Sequence, residues 1–202
     1  MDAERASPVQ LAAPGAGLPL IELRISRTAF AVARRLMSRS SASAKFRREA
    51  HKILAKAAQV DPELAARPVL IERIRGIEDS SRNWSLLMTL EHLVIVDTAV
   101  AMIIEQLVQE KPLTTKVSTA EVKPKKEQTI ATIELFRNMA DQYLERINRL
   151  PRLNSRARHE HPWFGPLNAH GWHCLAAVHH AIHRKQIERI IIIGQGPDSL
   201  IL

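Results

Sequence analysis

Over most of its length this chain repeats apolar residues every three to four positions, a spacing that puts them on one face of an α-helix and on no face of a strand. The clearest stretch carries Trp84, Leu87, Met88, His92, Ile95, Ala99, Met102, Ile103 and Leu107 as one continuous stripe. Leu20, Leu23, Ala29, Phe30, Ala33 and Leu36 or Met37 mark an arginine-studded helix that starts at Leu18 and ends near Ser38 to Ser43. A second amphipathic piece runs through Ile53 and Ala57 to Asp61-Pro62, where the aspartate can cap and the proline can open the next short helix. Ile130, Ile133, Phe136, Ala140, Tyr143, Leu144 and Ile147 define another helix, closed by Pro151. The last begins at Asn168, a capping residue, and passes Trp172, Leu175, His179, Ile182, His183, Gln186 and Ile190 to a stop at Gly194. The fold class this predicts is all-α.

Two segments break the pattern. Residues 1–17 are rich in Pro, Ala and Gly without periodicity and read as a flexible leader, leaving 18–197 as a single domain. Between Lys111-Pro112 and Lys126 the chain turns to Lys, Thr and Pro, which suits a long crossover of the kind some four-helix bundles need. N-caps for the long helix at Trp84 are available in Asp79-Ser80-Ser81-Arg82-Asn83.

Composition narrows the function. Cys174 is the single cysteine, which excludes an internal disulfide and any cysteine-rich metal site. No uninterrupted apolar run approaches the roughly twenty residues of a membrane helix, and the leader lacks a secretory pattern, so a cytoplasmic protein without a membrane partner is expected. The formal net charge is +8. Its arginines and lysines crowd the first helix and the crossover without a groove-reading motif, so they are read as solvated helix faces and a nucleic-acid partner is not expected.

The chemistry rests on histidine. His179 and His183 stand four apart and so share one face of the last helix, while His92 lies inside the apolar stripe of another. Either each is an ordinary hydrogen-bonded histidine, or the three meet on one ion. Three imidazoles in one core would be costly to desolvate without a shared partner, and a divalent metal supplies it. Three protein ligands leave a coordination position open, the pattern of catalytic zinc. His180, adjacent to His179, points about 100° around the helix and is expected at the periphery. His161, in the loop His161-Pro162-Trp163-Phe164-Gly165-Pro166, is placed at the rim of the site as a lid or supporting residue, and His173 could also reach it. Trp84 and Trp172 read as core residues, with a pocket wall as the alternative. Glu91 faces away from His92, and no catalytic residue is assigned.

The segments RNWSLLMTLEHLVIVD, Arg82 to Asp97, and HPWFGPLNAHGWHCLAAVHHAIHRKQIERI, His161 to Ile190, resemble the DinB/YfiT-like superfamily. Trp84-Ser85 and His92 match its first helical element, and His179, His183, Arg184 and Gln186 its last, with the resemblance covering about residues 65 to 193. The resemblance implies a four-helix bundle with additional N-terminal helices, metal on His92, His179 and His183, and a homodimer. It also implies a metal-dependent enzyme of the thiol-dependent S-transferase, isomerase or hydrolase type, using an external low-molecular-weight thiol and a small-molecule substrate. A noncatalytic metal- or small-ligand-binding module, related to stress, is the competing expectation. Zinc is the first choice of metal, then nickel or iron, since imidazole suits all three.

Overall fold

A computed structural model describes residues 9–111, 113–114 and 116–196. Among them are six α-helices: α1 Leu20–Leu36, α2 Arg39–Ala57, α3 Pro62–Ala66, α4 Leu86–Val108, α5 Ala131–Arg149 and α6 Ala169–Gln195. The protein is mostly helical, as expected, with two small additions that helical periodicity does not reveal. Val69–Leu70 (β1) pairs antiparallel with Asn83–Trp84 (β2), and His159–His161 (β3) with Gly165–Leu167 (β4).

Helix boundaries follow from capping. Ser38 accepts from the Ser41 amide, Asp61 from Glu63 and Leu64, Ser85 from Met88, and Asn168 from Gly171. Two boundaries correct the sequence reading. Met37 is extended, so α1 stops at Leu36 and Ser38 opens α2 at once. Trp84 lies in β2 rather than in the long helix, because Ser85 is the cap and Asp79–Ser81 is spent on a 3-10 turn. Asn168→Ala should cost about 1 kcal/mol in urea unfolding, since the Gly171 amide loses its acceptor; an unchanged midpoint would mean water replaces the cap.

Helices α2, α4, α5 and α6 form the bundle, α6 packing on both α2 and α4, and α5 on α4 and α2. Side-chain pairs give the directions. Ser43 meets His173, Phe46 meets His180 and Glu49 meets Arg184, so α2 and α6 run parallel. Tyr143 meets His173 and Phe136 meets His180, so α5 runs against α6. Glu91 meets Gln128 and Glu105 meets Arg146, so α4 and α5 are parallel. Parallel neighbours in sequence require a connection that travels the length of the bundle, which explains the long crossover between α4 and α5.

Phe46, Tyr143, Phe136, Ile53, Leu90 and Leu93 fill the middle, with Phe46 stacked on Tyr143 at 4.4 Å between ring centres. By length and composition α4 could cross a membrane, although polar residues interrupt its apolar runs. In the fold it is a core helix packed on α5 and α6, with Asp97 fully buried within it.

Residues 1–8 of the expected leader, and 197 at the end of the expected domain, lie outside the described residues. Residues 9–17 contain no helix or strand, and the Ala12 and Gly15 amides donate to Asp79 and Glu78.

Candidate metal centre

Helix α4 carries His92 and α6 carries His179 and His183 to one point. Nε2 of His179 lies 3.3 Å from Nε2 of His92 and 2.9 Å from Nε2 of His183. One ligand atom from each of the three falls within 4.8 Å of the others. A tetrahedral zinc with bonds of about 2.0–2.1 Å sets its ligand atoms about 3.3 Å apart, so the spacing fits an ion.

The far side of each ring decides which atom faces inward. His92 Nδ1–H donates to the Val122 carbonyl at 2.7 Å. His183 Nδ1–H donates to Gln186 Oε1, also at 2.7 Å, and the Gln186 amide is held in that orientation because its Nε2 donates to the Ser81 carbonyl. With their protons on Nδ1, both rings aim Nε2 lone pairs at the same point, as acceptor-held metal-binding histidines do. His179 Nδ1 is buried without a partner among the described residues. Without an ion, His179 can carry its proton on Nε2 and donate it to only one of its two neighbours; a cation would be shared by all three Nε2 atoms.

Burial keeps the rings neutral. It pushes the His92 imidazolium down to about 4, against the opposing effect of the bond to Val122. His179 and His183 fall well below the ordinary value, mainly through burial and then through repulsion from neighbouring histidines. Neutral imidazole is the ligating form.

Trp84 backs the site from β2, its ring 5.1 Å from that of His92 and stacked parallel to that of His183. The Lys123 ammonium lies 5.3 Å from its centre. The tryptophan is buried and is not among the residues lining the adjoining cavity, in keeping with its reading as core. Gln186 supports His183 as described. His161 sits on β3 at the cavity wall, its ring 5.3 Å from Trp172. Its Nδ1 accepts from the Trp163 and Phe164 amides, which leaves the proton on Nε2. Trp172 is fully buried and lines the cavity as well, so it combines both readings.

Two expectations are overturned. His180 is fully buried rather than peripheral, with Nε2 2.5 Å from Asp97 Oδ2 and the ring against Phe46 and Phe136. A rotation of 100° leads into solvent only on a helix with one packed face; α6 packs on α2 as well as α4, so it leads into a second interior face. His173 lies deep in the core away from the site's rim, between Ser43 Oγ and Tyr143 Oη, both at 3.0 Å. Sequence reasoning also missed Val122 and Lys123, which reach the centre from the crossover; no local pattern marks such a contact.

No family model matches the chain, and no curated protein does. Among solved structures it is similar to TT2238, described as a four-helix bundle protein. The two are 24% identical over 75% of this chain and 98% of that one, with a TM-score of 0.50. The chain is a four-helix bundle. The likeness shows the fold alone, and the chemistry has to come from the site.

Cys174 contributes no nucleophile: it is buried, and burial pushes its thiol up to about 11. The histidines give a pH signature instead. Burial lowers His92, His161 and His173 to about 4, and lowers His179 and His183 as well. Between about 4 and 6.5 the unfolded chain therefore binds more protons than the folded one. Metal-free protein should lose stability as pH falls through that window, by on the order of 2 kcal/mol at pH 5 for each of His92, His161 and His173. Asp97, raised by burial, opposes this as one carboxyl against six imidazoles, since burial lowers His159 too. A urea midpoint that stays level from pH 7.5 to 5 would contradict the buried neutral assignment.

Proposed function

We propose that this chain belongs to the DinB/YfiT-like superfamily and binds one divalent ion, zinc first, on His92, His179 and His183, as a metal-dependent enzyme acting on a small molecule. The convergence of Nε2 atoms, with two of the Nδ1 protons held by Val122 and Gln186, carries this reading. The bound ion would act as a Lewis acid and lower the pKa of a coordinated water or thiol.

The chain's own residues do the rest. Val122 and Gln186 orient two ligands, Trp84 excludes water behind them, and His161 offers an Nε2–H at the cavity wall that can donate to a bound substrate atom. The reaction type, thiol-dependent S-transfer, isomerisation or hydrolysis, rests on the resemblance, and the external thiol with it. A turnover screen with low-molecular-weight thiols and electrophiles, on metal-loaded and metal-free protein, tests it. Activity that requires the ion supports an enzyme.

One observation favours the noncatalytic alternative. The acid lining the cavity, Glu78, is engaged by Lys123, Thr119 and the Gly15 amide, and so is poorly placed as a base. Binding of the ion with no turnover across the screen would select that reading.

A symmetric homodimer and a cytoplasmic location are part of the same proposal. The outward face of α1 exposes Leu20, Ile21, Ile25, Val32 and Leu36, more apolar surface than a lone helix commonly shows to water. Sedimentation at micromolar concentration should give twice the chain mass; monomer alone would remove the dimer.

A further inference from the structure

The three histidines open onto a cavity of 370 Å³, at the small end of the range of about 300–1,000 Å³ for small-molecule sites. Its walls come from α4, α6, the crossover and the β3–β4 hairpin, and its roof from α1, through Ala29, Phe30 and Ala33. That roof is fastened at several points. The Phe30 ring lies 4.7 Å from that of Phe164, and Arg27 donates to the Trp163 carbonyl. Glu22 accepts from the Gly76 amide and pairs with Arg73 at 2.6 Å. Gly76 is in the left-handed region at φ +92°, and a Cβ there would lie 2.9 Å from Ile182, so this anchor admits no larger residue without strain.

Two charged groups along the cavity, Lys123 and Glu78, are already satisfied. Lys123 Nζ has three hydrogens, and it lies 2.9 Å from each of Glu78, Ser80 and Ser81. Glu78 accepts in addition from Thr119, Ser80 and the Gly15 amide. A charged group pushed under α1 would meet Phe30, Val96, Val100, Phe164, Leu175 and Ile182, and the remaining charged lining residue, Arg75, is itself solvent-exposed, so that burial would be costly.

We infer that this cavity takes a neutral ligand with a short aliphatic tail, its one Lewis-basic atom at the three histidines and its tail beneath α1. The inference rests on the metal reading above. It also goes against the resemblance, since a low-molecular-weight thiol with a charged tail would not fit under α1.

Cobalt(II)-loaded protein tests it, because the visible spectrum of cobalt reports any added ligand. Three imidazoles hold the donor atom constant: 1-methylimidazole, 1-hexylimidazole and 6-(imidazol-1-yl)hexanoate. Each methylene removed from water is worth about fourfold, so the hexyl compound, with its longer tail fully buried, should bind up to roughly a thousandfold tighter than the methyl compound. The hexanoate should lose most of that gain. Ala33→Phe, which fills the roof, should erase the hexyl advantage while leaving the cobalt spectrum and 1-methylimidazole binding unchanged. Equal affinity for the methyl and hexyl compounds, hexanoate binding as tight as hexyl, or an Ala33→Phe variant that keeps the advantage would overturn the inference. Absence of any cobalt spectrum would instead remove the metal reading, and this inference with it.

Discussion

His180→Ala is expected to cost about 3–5 kcal/mol of stability. His180 and Asp97 are both fully buried, and their contact at 2.5 Å links α6 to α4. Whichever of the two holds the proton, removing the imidazole leaves a carboxyl group in the core with no other partner, since Asp97 Oδ1 already has none among the described residues. The missing ring also leaves a cavity against Phe46 and Phe136, which adds to the loss. Removing both polar groups together should cost less than the sum of the single changes, because no stranded charge remains; His180→Leu with Asp97→Leu makes that comparison in a double-mutant cycle. Strictly additive losses in urea unfolding would show that the pair is not coupled. Provided the His180 variant folds at low temperature, it should still bind metal, because its ring points into the α2–α5 side of the core and the ligands point toward the cavity.

His179→Ala should produce the opposite pattern. His179 Nε2 lies between those of His92 and His183, so its loss takes away the central ligand and stoichiometric binding should disappear. Wild-type protein with the ion at a hundred times its dissociation constant should gain about 2.7 kcal/mol over the metal-free form, and the variant should gain none. Without metal the variant should lose little stability, because the substitution removes a buried, partnerless Nδ1 together with the single hydrogen bond that His179 Nε2 can donate to a neighbouring histidine. A large loss of stability in metal-free His179→Ala would show that the histidine cluster is a structural hydrogen-bond network.

The contrast between these two variants shows what the sequence can carry. His179 and His183 are legible because a separation of four residues fixes a shared helix face, and His92 because it interrupts an apolar stripe at the right phase. The four bundle helices and the crossover are legible for the same reason: periodicity and its interruption are local properties. His180 is not, since whether a second face of α6 is buried depends on α2, more than a hundred residues away. The roles of Val122 and Lys123 depend on where the crossover lands. Trp84 illustrates a subtler failure: its phase matches the long helix, yet Ser85 takes the cap and the tryptophan pairs with Val69 in a strand. The apolar roof made by α1 is likewise hidden, because amphipathic spacing tells that Phe30 is buried but not what it covers.

Metal analysis of protein purified without a histidine tag and dialysed against a low concentration of zinc tests the central claim most directly. The wild type should retain one divalent ion per chain, and His92/His179/His183→Ala should retain none above the buffer. Retention of one ion per chain by the triple variant, or its absence from the wild type under the same dialysis, would contradict the account.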